Sequence, residues 1–90
     1  MTIDIRLSKL LRAAADNQEK VTVKGETIGE CLRDLVSRHP NINSLLFDDE
    51  GSIQRYIIIF LNQRIAYPKE LDIPIKPGDD VYLEFFVDGG

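Results

Sequence analysis

The chain has 90 residues, 43% of them hydrophobic, which is enough for one small domain with one core. Its 15 acidic and 11 basic residues give a formal net charge of −4, and the scattered basic residues form no patch for phosphate contacts, so we expect no nucleic-acid binding. A single cysteine excludes an internal disulfide, and one Cys with one His cannot by themselves form a zinc or iron–sulfur site, so we expect no metal.

The sequence shows no sign of a targeting or membrane segment. Residues 1–5 lack the basic start and uninterrupted apolar run of a signal peptide, and no apolar run reaches the length of a membrane span. The composition shows neither a linker-like change nor an internal repeat. We therefore expect a cytoplasmic protein without membrane contact, with one domain over residues 1–87 and a flexible tail over residues 88–90.

The N-terminal third is predicted to form two strands joined by a short helix. Apolar and polar residues alternate over residues 2–7, which is the period of a strand with one buried face. The period becomes helical from residue 8, where Leu10, Leu11 and Ala14 fall on the apolar side and Ser8 is available as the N-cap. Alternation returns over residues 20–24, and this second strand most simply folds back antiparallel to the first.

The next helix is the longest, and the sequence marks both of its ends. Thr27 and Glu30 match a capping box, in which the threonine hydroxyl accepts a backbone N–H and the glutamate side chain accepts another. Pro40 ends the helix because it forces His39 out of the helical region. Gly29 in the first turn costs about 1 kcal/mol relative to alanine, so we expect close packing there. The apolar stripe of this helix comprises Ile28, Cys31, Leu32, Leu35 and Val36.

The C-terminal half is predicted to contribute two or three more strands. Residues 41–52 indicate a short helical turn and then an exposed acidic loop. Residues 56–61 are almost continuously apolar, which predicts a third strand covered on both faces or nearly so. After a turn, residues 65–67 would run back beside it as a short edge strand. Residues 76–80 are a strong turn signal before the final strand, which starts at Val81.

This order of elements predicts an α+β fold. Two strands, one main helix and two or three further strands would form a mixed sheet of four to five strands packed on the helix. A helix crossover between strands of one sheet favours parallel neighbours, so the last strand would lie centrally, beside the first. The segment that follows it would then leave from the firmest part of the sheet.

The last strand runs into two glycines at the end of the sequence. Gly89 and Gly90 have no side chains, so this backbone can pass through a narrow channel and adopt φ values closed to other residues. A terminal carboxylate has a pKa of roughly 3.3–3.7 and is ionised at neutral pH, which makes it a poor acceptor for a nucleophile. The carboxylate of Gly90 could therefore react only after activation.

The sequence resembles the β-grasp, ubiquitin-like sulfur carriers of the ThiS/MoaD family. The resemblance rests on the order of strands and helix, the Thr27-Ile28-Gly29-Glu30 helix start, the strand over residues 56–62 that ends in Asn, and Pro77-Gly78-Asp79 leading to Gly89-Gly90. An insertion over residues 48–55 is more similar to the cysteine-pathway carriers than to the thiamine ones. Where many relatives have Pro or small residues before the diglycine, this chain has Phe86-Val87-Asp88.

The resemblance implies a carrier protein and not an enzyme. A ubiquitin-activating-type enzyme would use ATP and Mg²⁺ to adenylate the Gly90 carboxylate, and a sulfur donor would displace AMP to leave a thiocarboxylate. A sulfur-accepting synthase would take the sulfur for a cysteine- or homocysteine-type, thiamine or molybdopterin pathway. Gly89 and Asp88 would thread the tail into its partners, and the chain itself would bind no cofactor.

Three residues near the tail are candidates for docking a partner. Phe85 and Phe86 belong to opposite faces of the last strand, so one of them is expected in the core. The other, with Tyr82 or Val87, would form an exposed apolar patch, and soluble domains rarely leave such patches unused. We assign the docking role to Phe86, Val87 and Tyr82.

Other chemically active residues are interpreted as structural. Cys31 shares the apolar stripe of the main helix, where a free cysteine behaves as a small hydrophobe. His39 lies at the end of that helix, where a cation suits the helix dipole, and no Ser or Cys partner is evident. The acidic residues 48–50 lack the alternating ligand pattern of a calcium loop and predict a solvated turn.

The sequence leaves two alternatives to the sulfur carrier open. The same activated carboxylate could form an isopeptide bond with a target lysine, which would make the chain a protein modifier. A fixed small subunit, whose tail inserts into a partner's active site without being activated, is the other alternative. An autonomous enzyme has little support, because no nucleophile–base pair, phosphate-cradling loop or pair of carboxylates is evident in the sequence.

Overall fold

The computed structural model of the chain describes residues 2–86. The strands in this range are β1 (Thr2–Leu7), β2 (Lys20–Lys24), β3 (Ile57–Leu61), β4 (Arg64–Ile65) and β5 (Val81–Phe85). The helices are α1 (Lys9–Arg12), α2 (Ile28–Arg38) and α3 (Asn43–Leu46), with 3-10 turns at Ala13–Ala15, Pro40–Ile42 and Glu70–Asp72. The strands form one sheet in the order β2-β1-β5-β3-β4.

Strand β5 lies at the centre of this sheet. It pairs in parallel with β1, where Ile5 lies opposite Val81 and Leu7 opposite Leu83. On its other edge β5 pairs antiparallel with β3 along the whole of both strands. The β1–β2 and β3–β4 pairs are antiparallel and form the two flanks. The predicted mixed sheet and the central position of the last strand beside the first are therefore confirmed.

The core lies between α2 and the inner face of the sheet. Alternate residues of β1 and β2 are buried, as the period of the sequence predicted. Removal of this apolar surface from water is the main stabilising contribution to the fold. The strands contribute Ile3, Ile5, Leu7, Val21, Val23, Ile57, Ile59, Val81 and Leu83 to the core, and α2 contributes Ile28, Cys31, Leu32 and Leu35.

The start of α2 follows the predicted capping box with one change of partner. The N–H of Glu30 donates to the Thr27 hydroxyl at 3.1 Å. The Glu30 carboxylate accepts the N–H of Glu26 at 3.0 Å, one residue before the cap. The predicted close packing at Gly29 is confirmed, because a Cβ atom built there would lie 2.8 Å from the carbonyl oxygen of Leu71.

Strand β3 is fully buried on one face and partly buried on the other, so the predicted cover is confirmed for the inner face and only in part for the outer face. Ile57 and Ile59 are buried in the core, whereas Ile58 and Phe60 are partly exposed on the opposite face. The helices pack on the inner face of the sheet, and an antiparallel strand in such a two-layer domain keeps its second face open to solvent. Because the residues on both faces of this strand are apolar, the sequence alone does not show which face is buried.

The first helix differs from its prediction in two residues. Leu11 is buried as predicted, but Leu10 is 57% exposed, because Leu11 and Ala15, about one turn apart, take the inner side of this short helical segment. Ser8 precedes the helix as predicted, but its side chain makes no capping hydrogen bond. The Ser8 hydroxyl bonds to β5 instead.

The remaining connections agree with the sequence in outline. The predicted helical turn after α2 is present as the 3-10 turn and α3, and β4 is a short edge strand that ends at Ile65. Within the described residues, no helix combines the length and the apolar character needed to cross a membrane. The predicted boundary between domain and tail, after residue 87, lies outside the described residues.

Candidate partner-docking face and tail root

The predicted tail lies outside the part of the chain that the structure describes. Val87, Asp88, Gly89 and Gly90 follow Phe86, the last described residue. Their roles in docking, threading and activation therefore stay predictions. The structure describes the strand from which they continue and the surface around it.

Phe85 and Phe86, which we call the tail root, donate hydrogen bonds in opposite directions, one towards the end of β1 and the other towards the start of β3. The Phe85 N–H donates to Ser8 Oγ at 3.2 Å, and the Phe86 N–H donates to the Tyr56 carbonyl oxygen at 2.7 Å. The Phe85 ring packs against the core and against Tyr56, with ring centroids 4.7 Å apart. Phe86 is 57% exposed, so the two phenylalanines divide between core and surface as predicted.

An apolar patch lies on the outer face of the sheet, beside the tail root. Tyr82 is on this face of β5, and Phe86 follows at the same parity along the chain. The strand register places Phe60 opposite both Tyr82 and Ile65. The Phe60 and Tyr82 rings are 6.1 Å apart, within the range of aromatic contacts. We call this set the outer patch: Ile58, Phe60, Ile65, Tyr82 and Phe86.

Arg6 and Asp80 border the outer patch as a fixed pair of charges. The Arg6 guanidinium donates two hydrogen bonds to the Asp80 carboxylate, each 2.8 Å long, and lies 4.9 Å from the centroid of the Tyr82 ring. The bond to Arg6 lowers the pKa of the Asp80 carboxyl from its usual value. Exposed ion pairs contribute little to stability. The pair places the Arg6 guanidinium against the Tyr82 ring, at a distance that allows a cation–π contact.

The Tyr82 hydroxyl stays protonated at neutral pH. Partial burial raises its pKa, and the neighbouring Glu84 carboxylate adds to the shift. The hydroxyl donates to Glu84 Oε1 at 3.4 Å. The outer patch therefore presents this aromatic ring with a neutral polar tip, a combination that is common where proteins bind one another.

A tight loop fixes the opposite end of β5. The Asn62 N–H donates to the Asp80 carbonyl oxygen at 2.8 Å, and the Asn62 side-chain oxygen accepts the Asp80 N–H at 2.9 Å. The N–H of Lys76 and the Asn62 amide bond to the Asp79 carboxylate, which lowers the pKa of that carboxyl. Gly78 supplies the positive φ of 93° that the turn requires. Two sequence features that carried the family resemblance meet in this loop.

The rest of the outer face is charged. Asp4 accepts a hydrogen bond from the Thr22 hydroxyl at 2.6 Å and lies 3.8 Å from the Lys20 ammonium. These residues belong to β1 and β2, whereas the outer patch belongs to β5, β3 and β4. The outer face is thus divided into a charged half and a largely apolar half, in which Glu84 of β5 lies opposite Ile58, and Arg6 lies between the two halves.

Two residues interpreted as structural have positions that fit that interpretation. Cys31 is buried, and desolvation, with smaller effects from Asp34 and Glu30, raises the pKa of its thiol to about 11. The thiol is therefore protonated at neutral pH and a poor nucleophile. His39 Nδ1 lies 3.6 Å from the carboxylate of Asp16, so the histidine joins the end of α2 to the turn after α1.

The acidic loop after α3 is a hydrogen-bonded turn. The Asp48 carboxylate accepts the N–H groups of Glu50 at 2.9 Å and Ser52 at 3.0 Å. Among residues 2–86, no group of three or more His, Cys, Asp or Glu side chains could hold a metal ion. In the acidic run, the Asp48 carboxylate therefore stabilises the turn in which it lies.

Sequence reasoning missed Ile58, Phe60 and Arg6 as parts of the candidate site, whereas Ile65 belongs to the predicted edge strand. A signal for the first two was present, because one main helix covers one face of a sheet and half of a continuous apolar strand must face outward. No local signal places Arg6 next to Tyr82. That neighbourhood arises from the parallel register of β1 and β5, which joins segments far apart in sequence.

Comparison with known proteins gives a family and a named relative. The model of the ThiS family matches residues 5–90 of the chain. Among curated proteins, the sulfur carrier protein CysO of Mycobacterium tuberculosis is 27% identical over 93 aligned residues, and the alignment covers all of both chains.

Two crystal structures share the fold over nearly their whole length. SAMP1, the small archaeal modifier protein 1, from Haloferax volcanii has a TM-score of 0.88 and 28% identity, with all of both chains covered. A chain of the Amycolatopsis orientalis BexX/CysO complex has a TM-score of 0.85 and 27% identity, covering 97% of this chain and 98% of that one. These likenesses confirm the predicted β-grasp, ubiquitin-like fold.

Proposed function

Because the chain belongs to the ThiS family, we propose that it is a sulfur carrier whose reactive group is the carboxylate of Gly90. In this role the chain is a cosubstrate that is used and regenerated, and catalysis belongs to its partners. A ubiquitin-activating-type enzyme activates it, a sulfur donor charges it and a synthase accepts the sulfur. The family match through residue 90 and the similarity to the sulfur carrier protein CysO support this proposal.

The proposed activation consists of two displacements. A carboxylate oxygen of Gly90 attacks the α-phosphorus of ATP, pyrophosphate leaves with Mg²⁺, and an acyl-adenylate forms. Sulfide from the donor attacks the carbonyl carbon and AMP leaves, so the product is a thiocarboxylate. AMP is a far better leaving group than the oxide that an unactivated carboxylate would have to expel.

The observation that carries the proposal is the position of β5. This strand is paired on both edges, and the chain continues from it directly towards Gly89 and Gly90. The folded body therefore fixes the place at which the tail begins. Ordering each glycine in a partner's active site would cost on the order of 1–2 kcal/mol, which contacts made by the body must offset.

We assign those contacts to the outer patch. It contains Tyr82 and Phe86, two of the predicted docking residues, and Phe86 also belongs to the tail root. A partner that binds this patch would hold the body while the tail enters its active site. Val87 and Asp88 would continue the contact from the patch to the diglycine.

Intact mass spectrometry tests the proposed chemistry. The full chain is incubated with the ubiquitin-activating-type enzyme of the same organism, ATP, Mg²⁺ and sulfide, and one oxygen is expected to be replaced by sulfur. A chain that lacks Gly90 is the control and is expected to keep its mass, because its terminal carboxylate is one residue short of the adenylating site. If the full chain also keeps its mass while the enzyme converts another member of the family, the proposed function is wrong.

A protein modifier is the second candidate, and the similarity to SAMP1 favours it. In this case the amine of a target lysine attacks the acyl-adenylate, AMP leaves and an isopeptide bond forms. The same incubation with cell extract added separates the two functions. Lysine-linked adducts that migrate more slowly on a gel support the modifier, whereas the exchange of oxygen for sulfur supports the carrier.

For the sulfur acceptor we propose a cysteine-type pathway located in the cytoplasm. The 27% identity to CysO supports this choice among the pathways that the sequence left open. Transfer assays that offer the thiocarboxylated chain to cysteine-type, thiamine-type and molybdopterin-type synthases discriminate between them. Sulfur transfer to a thiamine-type or molybdopterin-type synthase alone would overturn the cysteine-type assignment.

A further inference from the structure

Ser8 occupies an unusual place between β1 and β5. It is 5% exposed, and it is the one polar residue among the buried residues of the described chain. Its N–H donates to the carbonyl oxygen of Leu83 at 3.0 Å. Its own carbonyl oxygen accepts the N–H groups of Leu11 at 3.0 Å and Arg12 at 3.2 Å, and so belongs to the first turn of α1.

This arrangement removes one backbone acceptor from the parallel pairing of β1 and β5, and the Ser8 hydroxyl takes its place. In a parallel pair, the residue that donates to the carbonyl of residue 83 would accept the N–H of residue 85 with its own carbonyl. Ser8 has turned its carbonyl into the helix, and the N–H of Phe85 donates to Ser8 Oγ at 3.2 Å instead. A side chain thus replaces a backbone acceptor at the point where β1 leaves the sheet.

We propose that Ser8 is a positioning residue for the activation of the tail, and this inference rests on the proposed function. Its hydroxyl extends the pairing of β5 by one residue after β1 has ended, so the tail root is held on both edges. Without this hydroxyl, Phe85 would lose its acceptor on the β1 side, and the bond from Phe86 to Tyr56 would hold the root on the β3 side only.

A looser root would affect catalysis more than docking. The adenylating enzyme has to order the tail before the carboxylate reaches ATP, and a mobile root adds to the conformational entropy lost in that step. The outer patch does not include Ser8, so the affinity of the folded body for the enzyme is expected to stay the same. Loss of the hydroxyl should therefore lower kcat for adenylation and leave KM for the carrier nearly unchanged.

Three variants of the full chain test this role. Ser8→Ala removes the acceptor, and Ser8→Thr keeps a hydroxyl at the same position. Thr27→Ala is the matched control, because it also removes a side-chain acceptor of a backbone N–H, at the start of α2 and not at the tail root. Adenylation is measured by ATP–pyrophosphate exchange with the ubiquitin-activating-type enzyme of the same organism, and backbone protection by amide hydrogen exchange.

Ser8→Ala is expected to lower kcat by about fivefold to tenfold, in line with the loss of one hydrogen bond. Faster exchange should be confined to the amides of Phe85 and its neighbours. Ser8→Thr is expected to restore both quantities, and Thr27→Ala to change neither. If Ser8→Ala does not fold, Ser8→Cys replaces it, because a thiol of similar size is a weak acceptor.

Two different failures are distinguishable. If the wild-type chain is adenylated and Ser8→Ala matches it, or loses no more than Thr27→Ala, the positioning role is wrong while the proposed function stands. If the wild-type chain is not adenylated at all, the proposed function fails and the role of Ser8 in activation fails with it. A rise in KM without a fall in kcat would also overturn the inference, since it would place Ser8 in docking.

Discussion

At the scale of single residues, Gly29 shows how packing reverses a local preference. Replacing glycine by alanine inside a helix usually stabilises it by about 1 kcal/mol. Here the new Cβ would lie 2.8 Å from the Leu71 carbonyl oxygen and 3.2 Å from the Leu71 Cβ, both of which belong to a packed segment. We predict that Gly29→Ala lowers the free energy of unfolding by about 1–3 kcal/mol, measured by urea denaturation.

The exposed side of the same helix offers the control for this prediction. Arg33 is exposed on α2, and Arg33→Ala should change the free energy of unfolding by no more than about 0.5 kcal/mol. A Gly29→Ala chain as stable as the wild type would show that the segment at Leu71 moves away without cost, contrary to the packing described here.

Phe86 is the residue whose removal best separates docking from stability. Its side chain is largely exposed, so Phe86→Ala should leave the thermal midpoint nearly unchanged. If the outer patch binds the activating enzyme, the same change should raise KM for the carrier by about tenfold, which corresponds to the loss of one aromatic contact at an interface. ATP–pyrophosphate exchange at varied carrier concentration measures it.

Leu10 provides a matched comparison for Phe86. It is also a large apolar residue, 57% exposed like Phe86, but it lies on α1 and not on a strand of the outer patch. Leu10→Ala should leave KM unchanged. Equal effects of the two substitutions would mean that the enzyme does not distinguish the outer patch from other exposed apolar surface, and the assignment of the docking face would be wrong.

At the scale of elements, Asp34 links α2 to the end of β2. Its carboxylate accepts the N–H of Lys24 at 2.8 Å and a hydrogen bond from Arg38 at 2.9 Å. The bond from Lys24, followed by that from Arg38, lowers the pKa of the Asp34 carboxyl in the folded chain. A lowered folded-state pKa contributes stability that is present above the unfolded value of about 3.9 and is lost as the pH falls through the folded value.

Asp34→Asn should therefore flatten the acid side of the stability profile. The free energy of unfolding, measured by urea denaturation at a series of pH values between about 7 and 2, should be lower than in the wild type at neutral pH and should fall less on acidification. Part of the fall should remain, because Asp79 and Asp80 also have lowered pKa values. Asp49→Asn, which removes an exposed carboxylate from the loop after α3, is the control. An identical effect of both changes would contradict the link through Asp34.

The buried face of an element was predictable from the sequence where the other face is polar. It was not predictable where both faces carry apolar residues. The alternation along β1 and β2 shows directly which residues are buried, and Thr27 with Glu30 marks the start of α2. The continuous apolar run of β3 carries no such distinction, so the outward position of Ile58 and Phe60 was missed. The hydrogen bond between Phe85 and the Ser8 hydroxyl was missed, because a serine just before a helix is typical of an N-cap. Only the pairing of β1 with β5 brings the Phe85 N–H to this hydroxyl.

At the scale of the whole molecule, the fold was predictable because the order of elements, the crossover and the turn signals agree with one another. The candidate site was only partly predictable. Tyr82 and Phe86 could be identified along one strand, whereas Arg6 and Phe60 join them through pairings between segments that are distant in sequence. The register of two strands that are distant in sequence is not encoded in either segment alone. For this reason, the residues that such a pairing brings together could not be predicted.

The same strand, β5, holds the sheet together and leads to the tail. The β1–β2 and β3–β4 hairpins do not pair with each other, and β5 alone joins them. A molecule cut short before Val81, by premature termination or by a protease, would keep two separate hairpins with bare edges and no common sheet. The strand that leads to the diglycine is therefore also the strand that holds the sheet together.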